Sequence, residues 1–117
     1  MGQLNIYGIP NCDITKKAFS WLNDHNIGFT FHDYKKEGIS KQKLEDWCRQ
    51  AGWENILNKR STTWRELPPE DQAMVKTEAG AIKVMMENNS IIKRPVIEAA
   101  GKLIIGFKEE NYSKLLK

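Results

Sequence analysis

Cys12 is the residue whose type and position most directly predict chemistry in this sequence. It follows Gly8 and Pro10, which end a short apolar segment, and it precedes a stretch with helical periodicity. At a helix start, the free N–H groups and the positive end of the helix dipole both stabilise a thiolate. Lys16, one helical turn further on, adds positive charge. A buried structural cysteine is the alternative, but the polar neighbours of Cys12 favour a reactive thiolate.

The sequence offers Cys12 no neighbouring thiol. A dithiol motif places its second cysteine three positions on, where this sequence has Thr15. Cys48 shares a predicted apolar helix face with Leu44 and Trp47, which indicates packing as its role. Cys12 is therefore predicted to act as a monothiol that needs an external thiol. Glutathione is the expected co-substrate, and no bound cofactor is predicted.

Two arginines are further candidates for the site. Arg94 precedes Pro95 at the start of a predicted strand, and a guanidinium suits contacts to a thiolate or a planar oxyanion. From its position alone, Arg94 is either such a partner or a surface salt-bridge residue. A cis bond before Pro95 would expose the Arg94 backbone to an extended substrate or glutathione. Arg60 lies in a polar loop, where an arginine is usually solvated.

Composition excludes several other classes of function. The 117 residues carry a net charge of +3 with interspersed signs, which gives nucleic-acid binding little support. The two cysteines and two histidines lack the spacing of metal ligands. Apolar runs fall far short of the ~18 residues of a membrane helix, and no signal peptide is apparent. We expect a cytoplasmic protein that binds no metal, no nucleic acid and no membrane.

The predicted elements form one thioredoxin-like domain over residues 1–117. Residues 4–34 predict strand, helix, strand, with the helix burying a stripe at Ile14, Ala18, Trp21, Leu22 and His25. Residues 95–116 predict a hairpin, with its turn at residues 100–102 and its second strand at 103–107, and then a closing helix. The stretch between, residues 38–90, predicts a helical insertion. It includes a helix capped by Ser40, a short helix starting near Ile56, and a helix over residues 79–88. The fold class is therefore α/β, with βαβ plus ββα on a mixed sheet.

Several separated motifs carry a resemblance to a known family. They occupy residues 7–12, 16–18, 31–34, 58–65, 91–95 and 106–108. With these motifs in this order, essentially the whole chain resembles the ArsC/Spx family, and its YffB-like branch most. The resemblance implies a thioredoxin-like fold with a helical insertion and a cis-proline at Pro95.

The resemblance also implies a mechanism. In arsenate reductases of this family one cysteine attacks arsenate, and glutathione and glutaredoxin remove the product through a mixed disulfide. Cys12 matches that nucleophile, and Arg60 and Arg94 match the arginines that steady the thiolate and the oxyanion. A small oxyanion or a disulfide is the implied substrate. The candidate residues for binding substrate or glutathione are Asn11, Lys16, Pro95 and Lys108.

The sequence departs from the reductase pattern near its last strand. Where the reductases carry a third arginine, this chain has Phe107, and the adjacent Lys108 supplies only a point charge. Arsenate is therefore a less favoured substrate. The alternative function is that of the Spx branch, a regulator that binds RNA polymerase. The Cys-x-x-Cys switch of that branch is missing here, because Thr15 replaces its second cysteine.

Overall fold

The computed structural model describes residues 4–99 and 101–116. The chain divides into a sheet unit, Met1–Tyr34 with Arg94–Lys117, and a helical unit, Lys35–Lys93. No helix within the described ranges is long and apolar enough to cross a membrane. The grouping of both units into one domain stays a prediction.

The sheet unit contains four strands and two long helices. Strand β1 (Leu4–Gly8) leads through helix α1 (Asp13–Asp24) to the parallel strand β2 (Phe29–Asp33). After the helical unit, β3 (Val96–Ala99) and β4 (Lys102–Ile105) form an antiparallel hairpin, and α8 (Glu109–Leu116) follows. The strand order is β2-β1-β3-β4, with β3 antiparallel to β1. The predicted thioredoxin-like βαβ plus ββα fold with a helical insertion is therefore confirmed.

The core of the sheet unit follows from alternation along the strands. Side chains on β1 alternate between buried and half-buried, so Leu4, Ile6 and Gly8 share the covered face. Ile6 lies opposite Ile97 of β3, and both are fully buried. Leu22 of α1 and Tyr112 of α8 complete this core. At about 25 cal/mol per Å² of apolar surface, burying such residues is the main stabilising term of the unit.

The helical unit contains six helices and a short 3-10 helix, Asn89–Ile91. The α-helices are α2 (Tyr34–Glu37), α3 (Lys41–Ala51), α4 (Trp53–Ile56), α5 (Thr62–Glu66), α6 (Pro69–Met74) and α7 (Glu78–Glu87). Ser40 caps α3, since its hydroxyl accepts from the Lys43 N–H, and Gly52 ends the helix at φ 87°. Helix α3 packs against α4 and α7. The Ser40 cap agrees with the prediction.

The structure corrects several predicted boundaries. Ile14, expected in the buried stripe of α1, is 46% exposed. In the first turn of α1 the buried residue is Thr15 instead, because the buried face of the helix runs through Thr15, Ala18 and Leu22. The helix expected to begin near Ile56 ends there instead. Strand β2 stops at Asp33, since Tyr34 begins α2. The last strand is displaced toward the turn and covers Lys102–Ile105. Residue 100 of the predicted turn lies outside the described residues.

We predict that Gly80→Ala destabilises the chain although alanine is the better helix former. A Cβ on Gly80 would overlap the backbone carbonyl of Met74, a group that a side-chain rotation cannot displace. The expected loss is about 1–3 kcal/mol of the free energy of unfolding, measured by urea denaturation. Gly28→Ala is the control, because a Cβ there meets nothing within 4 Å. Equal stability of the two variants would contradict the close approach at Gly80.

Candidate active site

Cys12 lies where β1 leads into α1. A turn closes over residues 9–12, with the Cys12 N–H donating to the Ile9 carbonyl at 3.2 Å. Cys12 itself is the N-cap of α1, with extended backbone angles, and its carbonyl accepts from the Lys16 N–H at 3.0 Å. No side-chain hydrogen bond closes this end of the helix. The half-buried sulfur therefore occupies the place where serine or aspartate usually supplies a capping oxygen.

Arg94 reaches Cys12 from the entry to β3. Its Nε donates a hydrogen bond to the Cys12 Sγ over 3.3 Å. Because β3 runs antiparallel to β1 and Val96 lies opposite Tyr7, the residues before β3 pass the end of β1. The Arg94–Pro95 peptide bond is cis, as the resemblance implied. The sequence allowed Arg94 to be either a thiolate partner or a surface salt-bridge residue. In the structure Arg94 contacts the Cys12 sulfur.

The surroundings of Cys12 favour its ionised form. Burial alone would raise the pKa of Cys12, but the net pKa lies below its ordinary value. The Thr15 backbone N–H, the Arg94 guanidinium, the Thr15 hydroxyl and the Ile14 backbone N–H all lower it. These donors stabilise the negative sulfur and have no comparable effect on the neutral thiol. The thiolate is the nucleophilic form, so the geometry supports reactivity near neutral pH.

Two residues of this environment were not among the sequence-based candidates. Tyr34 directly follows β2, whose last residue Asp33 pairs with Gly8 at the end of β1. Its side chain is fully buried, and its oxygen accepts a hydrogen bond from the Arg94 guanidinium. Thr15 was noted only as a missing cysteine, yet its buried hydroxyl favours the thiolate. The available signals were that Tyr34 directly follows β2 and that Thr15 lies in the first turn of α1, beside Cys12.

The absence of a side chain on Gly8 leaves room for the Thr15 side chain. A Cβ on Gly8 would lie 3.1 Å from the Thr15 Oγ1 and 3.4 Å from its methyl carbon. Those distances are at the tight limit for real side-chain contacts, so a larger residue would displace Thr15. The glycine that ends β1 therefore leaves room for the buried Thr15 side chain.

Cys48 has the opposite environment. It lies in the helical unit, 4% exposed, on the face of α3 that packs inward. Burial raises the pKa of Cys48 to about 11, and the carboxylates of Glu78 and Glu45 act in the same direction. A thiol in this state is a poor nucleophile and a poor resolving partner.

The remaining residues that the sequence predicted for the site are Asn11, Lys16, Arg60 and Lys108. Lys16 lines an open groove of about 340 Å³ along α1 with Lys17, Ser20 and Phe107. Asn11 is exposed in the turn before Cys12, and Lys108 lines a shallow cavity at the start of α8. Arg60 belongs to the helical unit, is exposed, and donates its backbone N–H to Asn58 Oδ1 at 3.0 Å. The binding roles of these four side chains stay predictions.

Residues 4–99 and 101–116 contain no group of three or more histidine, cysteine, aspartate or glutamate side chains arranged to hold a metal ion.

Comparison with known proteins identifies relatives along nearly the whole chain. The model of the ArsC family matches residues 7–115. A solved YffB protein is 42% identical, with a TM-score of 0.94 over 98% of this chain and all of that one. An arsenate reductase (ArsC) related protein from Brucella melitensis is 45% identical, with a TM-score of 0.76 over 99% and 96% of the two chains. The global transcriptional regulator Spx 1 of Oceanobacillus iheyensis is 27% identical over 97% of this chain and 86% of its own length.

We predict that Arg94→Gln raises the pKa of Cys12, because the guanidinium that donates to the thiolate is lost. Well below that pKa, the rate of Cys12 alkylation by iodoacetamide would fall about tenfold, because the thiolate fraction falls tenfold. The measurement is the alkylation rate between pH 5 and 9, with the modified cysteine identified by mass spectrometry. Cys48 serves as the internal reference that reacts only in denaturant.

Arg49→Gln is the matched control for this experiment. Arg49 is exposed and bonds Asp46 within α3 at 2.9 Å. Its replacement removes the same charge from the chain and is expected to leave the alkylation profile unchanged. A profile that is identical in the Arg94 variant and the wild type would show that the hydrogen bond to sulfur has no influence on the thiolate.

Proposed function

The chain belongs to the ArsC family, and we propose that it is a glutathione-dependent thiol oxidoreductase with Cys12 as its nucleophile. The observation that carries the proposal is the 3.3 Å hydrogen bond from Arg94 Nε to Cys12 Sγ at the start of α1. A cationic donor aimed at a helix-capping sulfur stabilises a thiolate, and a thiolate is the reactant in disulfide exchange. Membership of the ArsC family and the similarity to an arsenate reductase (ArsC) related protein support this proposal.

The proposed cycle has two exchange steps. The Cys12 thiolate attacks the glutathione sulfur of a mixed disulfide R–S–S–G, forming a Cys12–glutathione disulfide and releasing R–S⁻. A glutathione thiolate then attacks the glutathione sulfur of that adduct, which frees the Cys12 thiolate and yields oxidised glutathione. Each turn consumes one glutathione thiolate, and the second sulfur of the oxidised glutathione comes from the substrate, so no bound cofactor is required.

Glutathione is proposed as the reductant because the chain supplies no resolving thiol near Cys12. The position three residues on is Thr15, and Cys48 is buried in the helical unit with a pKa raised to about 11. An external thiol must then complete the cycle, with glutaredoxin as a further possible acceptor of the adduct. Arg60 is proposed to stabilise negative charge, as in the family pattern.

We propose the groove along α1 as the site for the charged ends of glutathione, its two carboxylates and its ammonium group. The groove begins one turn beyond Cys12, with Lys16 and Lys17 as its positive residues and Asp24 and Glu109 as its negative ones. Ammonium groups pair with carboxylates over the few ångströms that separate the thiol of glutathione from its charged ends. Asn11, Pro95 and Lys108 are proposed as further contacts.

Phe107 favours an organic disulfide over arsenate as substrate. The family pattern has an arginine at this position, whereas the Phe107 ring packs edge-on against Tyr112 at 4.9 Å and forms an apolar wall of the groove. An apolar wall stabilises the carbon skeleton of a peptide thiol and offers nothing to an inorganic oxyanion.

A regulator of the Spx type is the second candidate, favoured by the 27% identity to a global transcriptional regulator. That function predicts binding to RNA polymerase without any thiol chemistry. Pulldown with polymerase distinguishes the two, because binding that survives Cys12→Ser would support the regulator.

We predict that the wild-type chain, incubated with oxidised glutathione, forms one mixed disulfide at Cys12, which reduced glutathione removes. Turnover of a glutathionylated peptide should persist in Cys48→Ala, because Cys48 is buried and lies outside the reaction, and should vanish in Cys12→Ser. Mass spectrometry detects the adduct, and a coupled assay for oxidised glutathione measures turnover. Arsenate serves as a parallel substrate. A wild-type chain that turns over neither substrate and forms no adduct would refute the proposal.

We predict that Lys16→Glu combined with Lys17→Glu raises the KM for glutathione about tenfold with little change in kcat, since two carboxylate-binding charges are reversed. Lys76→Glu combined with Lys83→Glu is the control, because both lysines are exposed in the helical unit and the net charge changes equally. Steady-state kinetics at varied glutathione concentration measure the effect. Equal KM values for the two double variants would remove the groove as a glutathione site.

A further inference from the structure

Tyr34 is a buried polar residue that the proposed cycle does not use. It directly follows β2 and is fully buried, although tyrosine usually keeps its hydroxyl near water. The pairing of Asp33 with Gly8 brings the end of β2 beside the end of β1, where the turn to Cys12 begins. The topology therefore places the Tyr34 hydroxyl at the same edge of the sheet as the reactive sulfur.

The Tyr34 oxygen and the Cys12 sulfur share one donor group. The guanidinium of Arg94 donates to the Tyr34 oxygen and, through Nε, to the Cys12 Sγ at 3.3 Å. A guanidinium is planar and carries its five N–H bonds in fixed directions. Two acceptors in different directions therefore determine the orientation of the plane, whereas one acceptor leaves the group free to rotate about the bond.

We propose that Tyr34 is a positioning residue whose buried hydroxyl oxygen holds the Arg94 guanidinium in the orientation that aims Nε at the Cys12 sulfur. The inference rests on the proposed function only in taking the Cys12 thiolate as the reacting group. Tyr34 acts through Arg94.

A neutral acceptor suits this position better than a carboxylate. The charged groups that act on Tyr34 are Arg94, the Cys12 thiolate and the Asp33 carboxylate. Burial raises the pKa of Tyr34 to about 12, with the two negative groups adding to the effect and Arg94 opposing it. Tyr34 therefore stays neutral at pH 7 and orients Arg94 without competing for its charge. An acidic side chain in its place would pair with Arg94 and weaken the attraction to the thiolate.

The test is the pH dependence of Cys12 alkylation in Tyr34→Phe, which removes the hydroxyl and keeps the ring. Loss of the second acceptor should lower the alkylation rate about threefold below the pKa of Cys12, corresponding to an upward shift of half a unit. Tyr112→Phe is the matched control, because Tyr112 is equally buried and its hydroxyl donates to the Gly106 carbonyl at 2.8 Å. The control should lose stability while keeping the wild-type alkylation profile.

A double-mutant cycle separates positioning from packing. If Tyr34 acts through Arg94, then Tyr34→Phe introduced into Arg94→Gln should change the Cys12 profile no further. An unchanged profile in Tyr34→Phe alone, or an equal further shift in the Arg94→Gln background, would overturn the inference. The readout needs neither glutathione nor turnover. A chain that shows the Tyr34 effect but forms no glutathione adduct would retain the positioning role and lose the proposed function.

Discussion

The hydrogen bond between Arg94 Nε and Cys12 Sγ is the interaction on which the rest of the candidate site depends. It joins residues 82 positions apart, and the sheet is what brings them together. Antiparallel pairing of β3 with β1 sets Val96 opposite Tyr7, so the entry to β3 meets the exit from β1. A shift of this register by one residue would turn the side chains of β3 to the other face of the sheet. The buried pairing of Ile6 with β3 therefore also sets the distance between the Arg94 guanidinium and the Cys12 sulfur.

The two cysteines show how strongly placement decides the behaviour of one chemical group. Burial raises the pKa of both, and in Cys48 the carboxylates of Glu78 and Glu45 add to that effect. In Cys12 the donors of the first turn of α1 and the Arg94 guanidinium reverse it. The balance depends on the number of N–H groups that face the sulfur and on the sign of the nearest charge. Apolar packing alone, as around Cys48, produces an inert thiol.

Local patterns were sufficient to predict the strands, most helices and the position of Cys12, because alternation, helical periodicity and turn residues act within a few positions. The long-range contacts were not predictable in this way. The sequence could not decide whether Arg94 contacts the thiolate or forms a surface salt bridge, because that choice depends on the register of β1 and β3. Tyr34 was assigned to β2 as one more aromatic strand residue, and only the pairing of Asp33 with Gly8 brings it to the site. Ile14 fits the apolar stripe of α1, yet the buried surface ends before it.

Thr15 bears on the choice between an enzyme and a regulator. A cysteine three positions after Cys12 could close a local disulfide, whereas Thr15 cannot form one and only lowers the pKa of Cys12. Cys12 thus keeps the groups that stabilise its thiolate, but no cysteine at position 15 can form a disulfide switch with it. A protein that only docks onto a partner does not need a guanidinium that hydrogen-bonds both Cys12 and Tyr34. Partly burying a charged group costs free energy unless it is paired, so the placement of Arg94 at this sulfur supports the proposal of thiol chemistry at Cys12.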